Sequence, residues 1–220
     1  MIKNISNLGD AALYCDFGVE VNKNINSEVI RYFKAIKEKN IEGITNLTPS
    51  YNKLIISFDL RVTNFTEIRA KIENLNIKET EKINNKKLEI PVCCDISFSL
   101  DMEDLQKKLN LNKKKILEKF FDKEYFCYMT GFIAGMPFLG DLDENMRAQR
   151  LETPRVKVPK GSIGLTEQFA NIYTFESPGG WNIIGNTPLD VFDSSKEENP
   201  NLINPGDIII FKQITLDKYN

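Results

Sequence analysis

Arg155 closes the run Leu151-Glu152-Thr153-Pro154-Arg155, with Arg150 on its other flank. Proline stiffens the turn, and a preoriented guanidinium suits two-pronged capture of a carboxylate or phosphate. Ser177-Pro178-Gly179-Gly180-Trp181 supplies complementary features. Its paired glycines let the backbone turn with amides exposed, which suits a substrate carbonyl or a developing oxyanion, and Trp181 adds a rigid apolar face. In Gly131-Phe132-Ile133-Ala134-Gly135-Met136-Pro137, two glycines four apart leave amides open to an anion. Arg155, Gly179 and Gly180 are therefore the candidate catalytic residues. Gly131, Phe132, Gly135, Pro178 and Trp181 are the candidate substrate-binding ones. Each has a structural rival: a salt bridge to a nearby acid for Arg155, core filling for Trp181, tight loop packing for the Gly131 segment. Lys160 in its Pro-Lys-Gly turn and the loop acids Asp141, Asp143 and Glu144 read as solvated side chains.

The chain has no histidine, which removes the commonest general base and metal ligand together. Ser177 therefore has no histidine to activate it, and no Cys-His pair can form. The four cysteines, Cys15, Cys93, Cys94 and Cys127, form no C-x-x-C pair, so neither a zinc site nor a disulfide framework is expected. Cysteines within apolar strands behave as small buried hydrophobes, in keeping with a reducing cytoplasm. A net charge of −2 with mixed signs indicates no nucleic-acid face. Lys113-Lys114-Lys115 reads as a solvated helix face. No run approaches the ~18 apolar residues of a membrane span, and the N-terminus has no apolar leader.

The elements that must hold these residues differ between the two parts of the chain. Seven of nine prolines and nine of twelve glycines lie after residue 130. There they punctuate short β-prone runs, such as Ile172-Tyr173-Thr174-Phe175 and Asn182-Ile183-Ile184, and predict a compact barrel or sandwich whose turns carry the chemistry. Before residue 90 the pattern is longer and periodic. A strand at Ala11–Phe17, a helix over Ser27–Glu38, strands at Ile44–Leu47 and Lys53–Asp59, a helix capped by Asn64 and a strand at Lys87–Val92 read as β-α-β-β-α-β. That order suggests a split, ferredoxin-like unit. Helices over Ser99–Phe121, one capped by Asn112, connect it to the barrel. The expected organisation is α+β, with an α/β domain over 1–90 and a helical connector plus barrel over 91–220.

Several rare words in a fixed order resemble the allophanate hydrolase subunit 1 family, the carboxyltransferase subdomains C and D. They are Pro154-Arg155, Val158-Pro159-Lys160-Gly161-Ser162, Tyr173 with Ser177-Pro178-Gly179-Gly180-Trp181, Ile184-Gly185-Asn186-Thr187-Pro188 and Pro205-Gly206-Asp207. Upstream, Tyr125 with Gly131-Phe132, Gly135 and Pro137-Phe138-Leu139 continues the likeness. The resemblance implies a cyclophilin-like barrel and a subunit of an ATP-dependent, 5-oxoprolinase-like amide hydrolase. It also implies a partner resembling allophanate hydrolase subunit 2, and in oxoprolinases a third subunit. ATP would then be used by the assembled complex, since this chain lacks G-x-x-x-x-G-K-[ST]. Other members point to a non-catalytic inhibitor of a histidine kinase, or to part of a urea carboxylase. The chain departs from the family words at Ala134, Met136, Phe169, Ala170, Asn171 and Asn186, and a usual histidine is replaced by Phe120 or Phe121. These departures imply either an altered substrate or catalytic duty moved to a partner.

Overall fold

The computed structural model describes residues 1–75, 77 and 86–219, and the chain divides into compact units Met1–Asn84 and Asn85–Asn220. In the first unit, strands β1 (Asn4–Asn7), β2 (Ala12–Asp16), β3 (Ile44–Pro49) and β4 (Lys53–Phe58) form an antiparallel sheet in the order β1-β2-β4-β3. Burial alternates along β2 and β4, so Leu13, Cys15, Leu54, Ile56 and Phe58 share one face. Helix α1 (Lys23–Lys39) lays Val29 and Ile36 into the same apolar cluster, and α2 (Phe65–Glu73) adds Ile68 and Ile72. Helix α1 starts a turn before the expected Ser27 because Asn22 is its cap, accepting from the Ile25 N–H at 3.0 Å. Asn64 caps α2 as its sequence suggests, through the Glu67 N–H. The Glu67 carboxylate accepts from the Thr63 hydroxyl at 3.0 Å.

The expected β-α-β-β-α-β order does not hold. The strand predicted at Lys87–Val92 to close this sheet is β5 (Lys87–Cys93) and belongs to the barrel. Position beside β2 is taken by β1, whose sequence NISN is too short and polar to announce a strand. Only Ile5 of β1 is buried, so backbone pairing rather than side-chain pattern makes it a strand.

In the second unit, β5 joins β6 (Glu124–Thr130), β7 (Pro137–Gly140), β9 (Ser162–Thr166), β10 (Phe169–Ile172), β12 (Asn182–Asn186) and β13 (Ile208–Ile214) in a closed seven-stranded barrel. Its order is β10-β7-β6-β13-β5-β12-β9. The inward residues Val92, Cys127, Leu139, Leu165, Ile184 and Phe211 build the core. Two strands outside the barrel, β8 (Arg155–Val158) and β11 (Ser177–Gly179), form an antiparallel ribbon. Helix α3 (Met102–Leu109) precedes α4 (Lys113–Phe121), which Asn112 caps through the Lys115 N–H at 2.9 Å. Phe120 of α4 stacks on Phe211 at 4.7 Å, which seats that helix on the barrel. A short helix, α5 (Leu216–Tyr219), follows β13.

Parallel pairing of β5 with β13 closes the barrel, and the aspartate of Pro205-Gly206-Asp207 secures the joint. Asp207, buried, accepts from the backbone N–H groups of Lys86 and Asn204 at 3.0 and 2.9 Å. Among the described residues no helix is long and apolar enough to cross a membrane, and no group of His, Cys, Asp and Glu is arranged to hold a metal ion.

Candidate functional site

Strand pairing brings two of the candidate residues together. In the β8–β11 ribbon Gly179 lies opposite Arg155, and Ser177 opposite Val158, with a register shift between. The following residue is tied in as well, because the Gly180 carbonyl accepts from the Leu151 N–H at 2.7 Å.

The Arg155 guanidinium forks onto Asp101, Nη1 donating to Oδ2 at 2.7 Å and Nη2 to Oδ1 at 2.5 Å. Asp101 Oδ2 also accepts from the Ile183 N–H at 2.7 Å, and its side chain is only 3% exposed. Asp101 is the N-cap residue of α3, yet it makes no side-chain capping bond, because its carboxylate is committed to Arg155 and β12. Two of the five N–H donors of Arg155 are thus engaged, and its side chain remains 29% exposed.

Glycine at 179 is required by a close approach rather than by φ, since neither Gly179 nor Gly180 has a positive φ. A Cβ at 179 would lie 2.1 Å from the Tyr173 hydroxyl. The Trp181 backbone N–H and the Asn171 side chain both favour the ionised form of that hydroxyl. Tyr173 is 1% exposed, and burial raises its pKa. Those two groups, with the charges of Arg150 and Arg155, offset part of that rise. The Gly180 N–H, also buried, finds no acceptor among the described residues.

Trp181 fills a second apolar cluster with Met136, Val158, Tyr173 and Ile183, and meets Phe138 edge-on at 5.5 Å. Met136 and Ile133 carry the Gly131–Pro137 segment into this cluster. Inside that segment the Gly131 N–H bonds Met136 O and the Met136 N–H bonds Ile133 O, so those two amides are occupied. Gly135 has φ +70, and a Cβ there would stand 2.3 Å from the Phe192 ring. Phe132, at φ +68, is 78% exposed at the tip. Pro178 is exposed on the ribbon. The three segments singled out by sequence thus gather around Tyr173, which sequence reading placed on a strand and in a family word but not in the site. Asp101, within the segment read only as connecting helices, is the other contributor missed.

The departures from the family words are partly neighbours. Met136 Sδ accepts from Asn171 Nδ2 at 3.5 Å, and Phe169 packs on the same cluster. Asn186 stands apart, donating to Lys160 O and accepting from the Tyr219 hydroxyl, both at 2.9 Å. Lys160 pairs with Asp190 at 2.6 Å. Of the loop acids, Asp143 pairs with Lys123, which holds its carboxyl below the usual range. Asp141 is not simply solvated: half-buried, it accepts from the Tyr128 hydroxyl and from Gln168. A cleft of about 600 Å³ beside α4 faces Lys115, Lys119 and Lys123 against Glu118, Asp122 and Asp143. Those charges cancel, so that cleft has no net pull on an anion. The Tyr173 turn differs, gathering donors and cations.

Residues 3–203 match the model of a family described as carboxyltransferase domain, subdomain C and D. The chain is 31% identical to a 5-oxoprolinase subunit of Bacillus subtilis over 228 residues, covering 98% of this chain and 95% of that protein. The crystal structure of TTHA0988 matches with a TM-score of 0.83 at 26% identity, over 93% of this chain and 40% of that longer one. The K. lactis urea amidolyase structure matches at 17% identity with a TM-score of 0.80, over 98% of this chain and 15% of its own, a likeness of fold alone.

Proposed function

Because the chain belongs to the carboxyltransferase subdomain C and D family and is related to 5-oxoprolinase subunits, we propose that it is one subunit of an ATP-dependent hydrolase. The reaction would open the lactam of 5-oxo-L-proline to L-glutamate. A lactam is resonance-stabilised, and ATP supplies the activation of its oxygen before water attacks the ring carbon. The protein must then stabilise charge on that oxygen and position the reactants.

One observation carries this reading: the buried Gly180 N–H has no acceptor among the described residues and follows Gly179, which pairs with Arg155 in the ribbon. Buried amides are nearly always paired, so an unpaired one on a turn that carries Arg155 suits an anionic oxygen. The Gly179–Gly180 turn would face the lactam oxygen, with Arg155 as a fixed cationic wall. The Gly131–Pro137 segment, Pro178 and Trp181 would shape the surround.

The chain carries no nucleotide-binding loop and no histidine, so ATP would bind through an assembled complex. The expected partners are a protein like allophanate hydrolase subunit 2 and a third oxoprolinase subunit. All four cysteines are free and buried, in keeping with a cytoplasmic setting. The barrel would correspond to the cyclophilin-like domain of such subunits.

Copurification with the second subunit, followed by an ATP-dependent assay of glutamate release, tests the reading. Glutamate should form with the complex and not with this chain alone. Equal rates from the isolated chain would refute the division of labour. A second reading, a non-catalytic regulator, is favoured by the commitment of Arg155 to Asp101. It predicts partner binding with no glutamate from any assembly.

A further inference from the structure

Residues 149–154 back the Gly179–Gly180 turn. The Leu151 N–H donates to Gly180 O at 2.7 Å, and a Cβ at Gly180 would stand 3.5 Å from the Pro154 ring. No helix or strand runs through these residues, so their position must be set from outside. Part of the support comes from the barrel, where Ala148 O accepts from the Glu167 N–H at 2.8 Å. The rest comes at Gln149, whose carbonyl accepts from Asn182 Nδ2 at 3.0 Å and from Lys108 Nζ at 3.4 Å.

Lys108 is exposed and lies in the last turn of α3, at the opposite end from Asp101. Asp101, Leu105 and Lys108 are spaced four and three residues apart, so they share one helical stripe. Leu105, fully buried, sits in the barrel core. At one end Asp101 is tied to Ile183 twice, its N–H donating to Ile183 O at 3.0 Å and its carboxylate accepting the Ile183 N–H, and it holds the Arg155 fork. At the other end Lys108 Nζ donates to Asn182 Oδ1 at 2.8 Å. Asn182 is fully buried, and its Nδ2 is engaged by Gln149 O and Leu165 O, so Lys108 supplies the donor that satisfies its oxygen. An acid at the start of a helix and a base in its last turn also suit the helix dipole.

We propose that α3 is a two-ended brace for the candidate site, and that Lys108 is a positioning residue acting on the Gly179–Gly180 turn through Asn182 and Gln149. This rests on reading that turn as the substrate site. Asp101 fixes Arg155 on one side of the turn, and Lys108 fixes residues 149–154 behind it. The turn amides and the guanidinium are then set relative to each other before substrate arrives, which is the condition for stabilising a developing oxyanion.

The test uses Lys108→Met, which keeps the length of the side chain and loses the donor, and Lys108→Arg, which keeps it. Lys107→Met is the control, since Lys107 is exposed and pairs only along its own helix with Asp104. Hydrogen exchange is followed at single amides in the full chain. In Lys108→Met the Leu151 amide should exchange roughly tenfold faster, the scale of one stranded buried acceptor, while the Cys127 amide of the barrel keeps its rate. Lys108→Arg should return Leu151 to within about twofold of the wild type, and Lys107→Met should not move it. In the assembled complex given 5-oxoproline and ATP, Lys108→Met should lower kcat per folded molecule by about three- to tenfold with little change in KM, and Lys108→Arg should restore it. An unchanged Leu151 rate in Lys108→Met, or an equal rise at Cys127, overturns the proposal. So does a loss in Lys108→Arg as large as in Lys108→Met, or an active complex whose kcat ignores Lys108→Met. Faster Leu151 exchange confined to Lys108→Met, with no glutamate from any assembly including the wild type, supports the brace and counts against the reaction alone.

Discussion

The two units hold themselves together by different means. Of the twelve buried polar residues in the described chain, Asn26 and Thr63 lie in the first unit and the other ten lie in the second, which has 136 of the 220 residues. The first unit is an amphipathic sheet and helices whose polar groups face outward. In the second, Asp101, Asn171, Asn182 and Asp207 knit loops and strands through buried hydrogen bonds. Apolar burial is tolerant of substitution, whereas a satisfied buried polar network specifies one arrangement and is costly to break. The barrel unit is thus the one built to hold a particular geometry, and it is where the candidate site lies.

The sharpest way to break this contrast is Asp101→Ala. It strands the Arg155 guanidinium and removes the acceptor of the Ile183 N–H. Removing one partner of a buried pair costs about 3–5 kcal/mol, and the partial exposure of Arg155 places the expectation near the lower end. Urea denaturation reads it. A loss below about 1 kcal/mol would reduce the pair to a surface one and remove the distinction between the units. Arg155→Lys keeps the charge but not the planar fork, and should cost roughly 1.5–3 kcal/mol in the same assay.

Gly179→Ala comes next. Its methyl would overlap the Tyr173 hydroxyl, so the phenol or the turn must shift, at about 1–3 kcal/mol. The Trp181 indole fluorescence should change with it, since Trp181 packs in the same apolar cluster as Tyr173. An unchanged spectrum and unchanged stability would show that the turn is loose.

A smaller effect tests the first unit. The Lys53 ammonium, 2.7 Å from Asp16, holds that carboxyl below its ordinary value of 3.8. A depressed folded pKa means the stabilisation is complete above the unfolded value and is lost as pH falls through it toward the folded one. For a partly exposed pair the amount is under about 1 kcal/mol. Lys53→Met should cost that amount at neutral pH and flatten the stability profile below about pH 4, so that the two proteins converge in acid; an equal acid slope in both proteins would remove the pair from the account. Finally, burial pushes the Cys15 and Cys94 thiols up to about 12. Alkylation at pH 8 therefore reports opening, and Cys15 should be modified before Cys94 if the first unit is the looser one.

What could be read from the sequence was local. Asn64 and Asn112 announce their helices because a cap needs only the next three residues. The short punctuated runs after residue 130 announce a barrel or sandwich because glycine and proline act where they stand. The Lys87–Cys93 strand was visible, but its partner lies 121 positions away, and nothing in either segment's pattern specifies parallel pairing. Likewise, Arg155 carries the mark of a preoriented guanidinium, but its acid is 54 positions upstream at Asp101. Tyr173 stands in the same word as Gly179, yet only folding shows that its hydroxyl occupies the space of the missing side chain.

The joint between β5 and β13 has a consequence for synthesis on the ribosome. The barrel's first strand must wait for its last one, and at about 5–20 residues per second the intervening 121 positions take roughly 6–24 s to translate. Throughout that interval the nascent barrel has an open edge of apolar strand. The Met1–Asn84 unit, by contrast, completes its sheet within its own span and can fold as it emerges. Messages truncated before Ile208 should therefore yield a folded first unit attached to an aggregation-prone remainder, making the final strand the point at which the chain becomes safe to release.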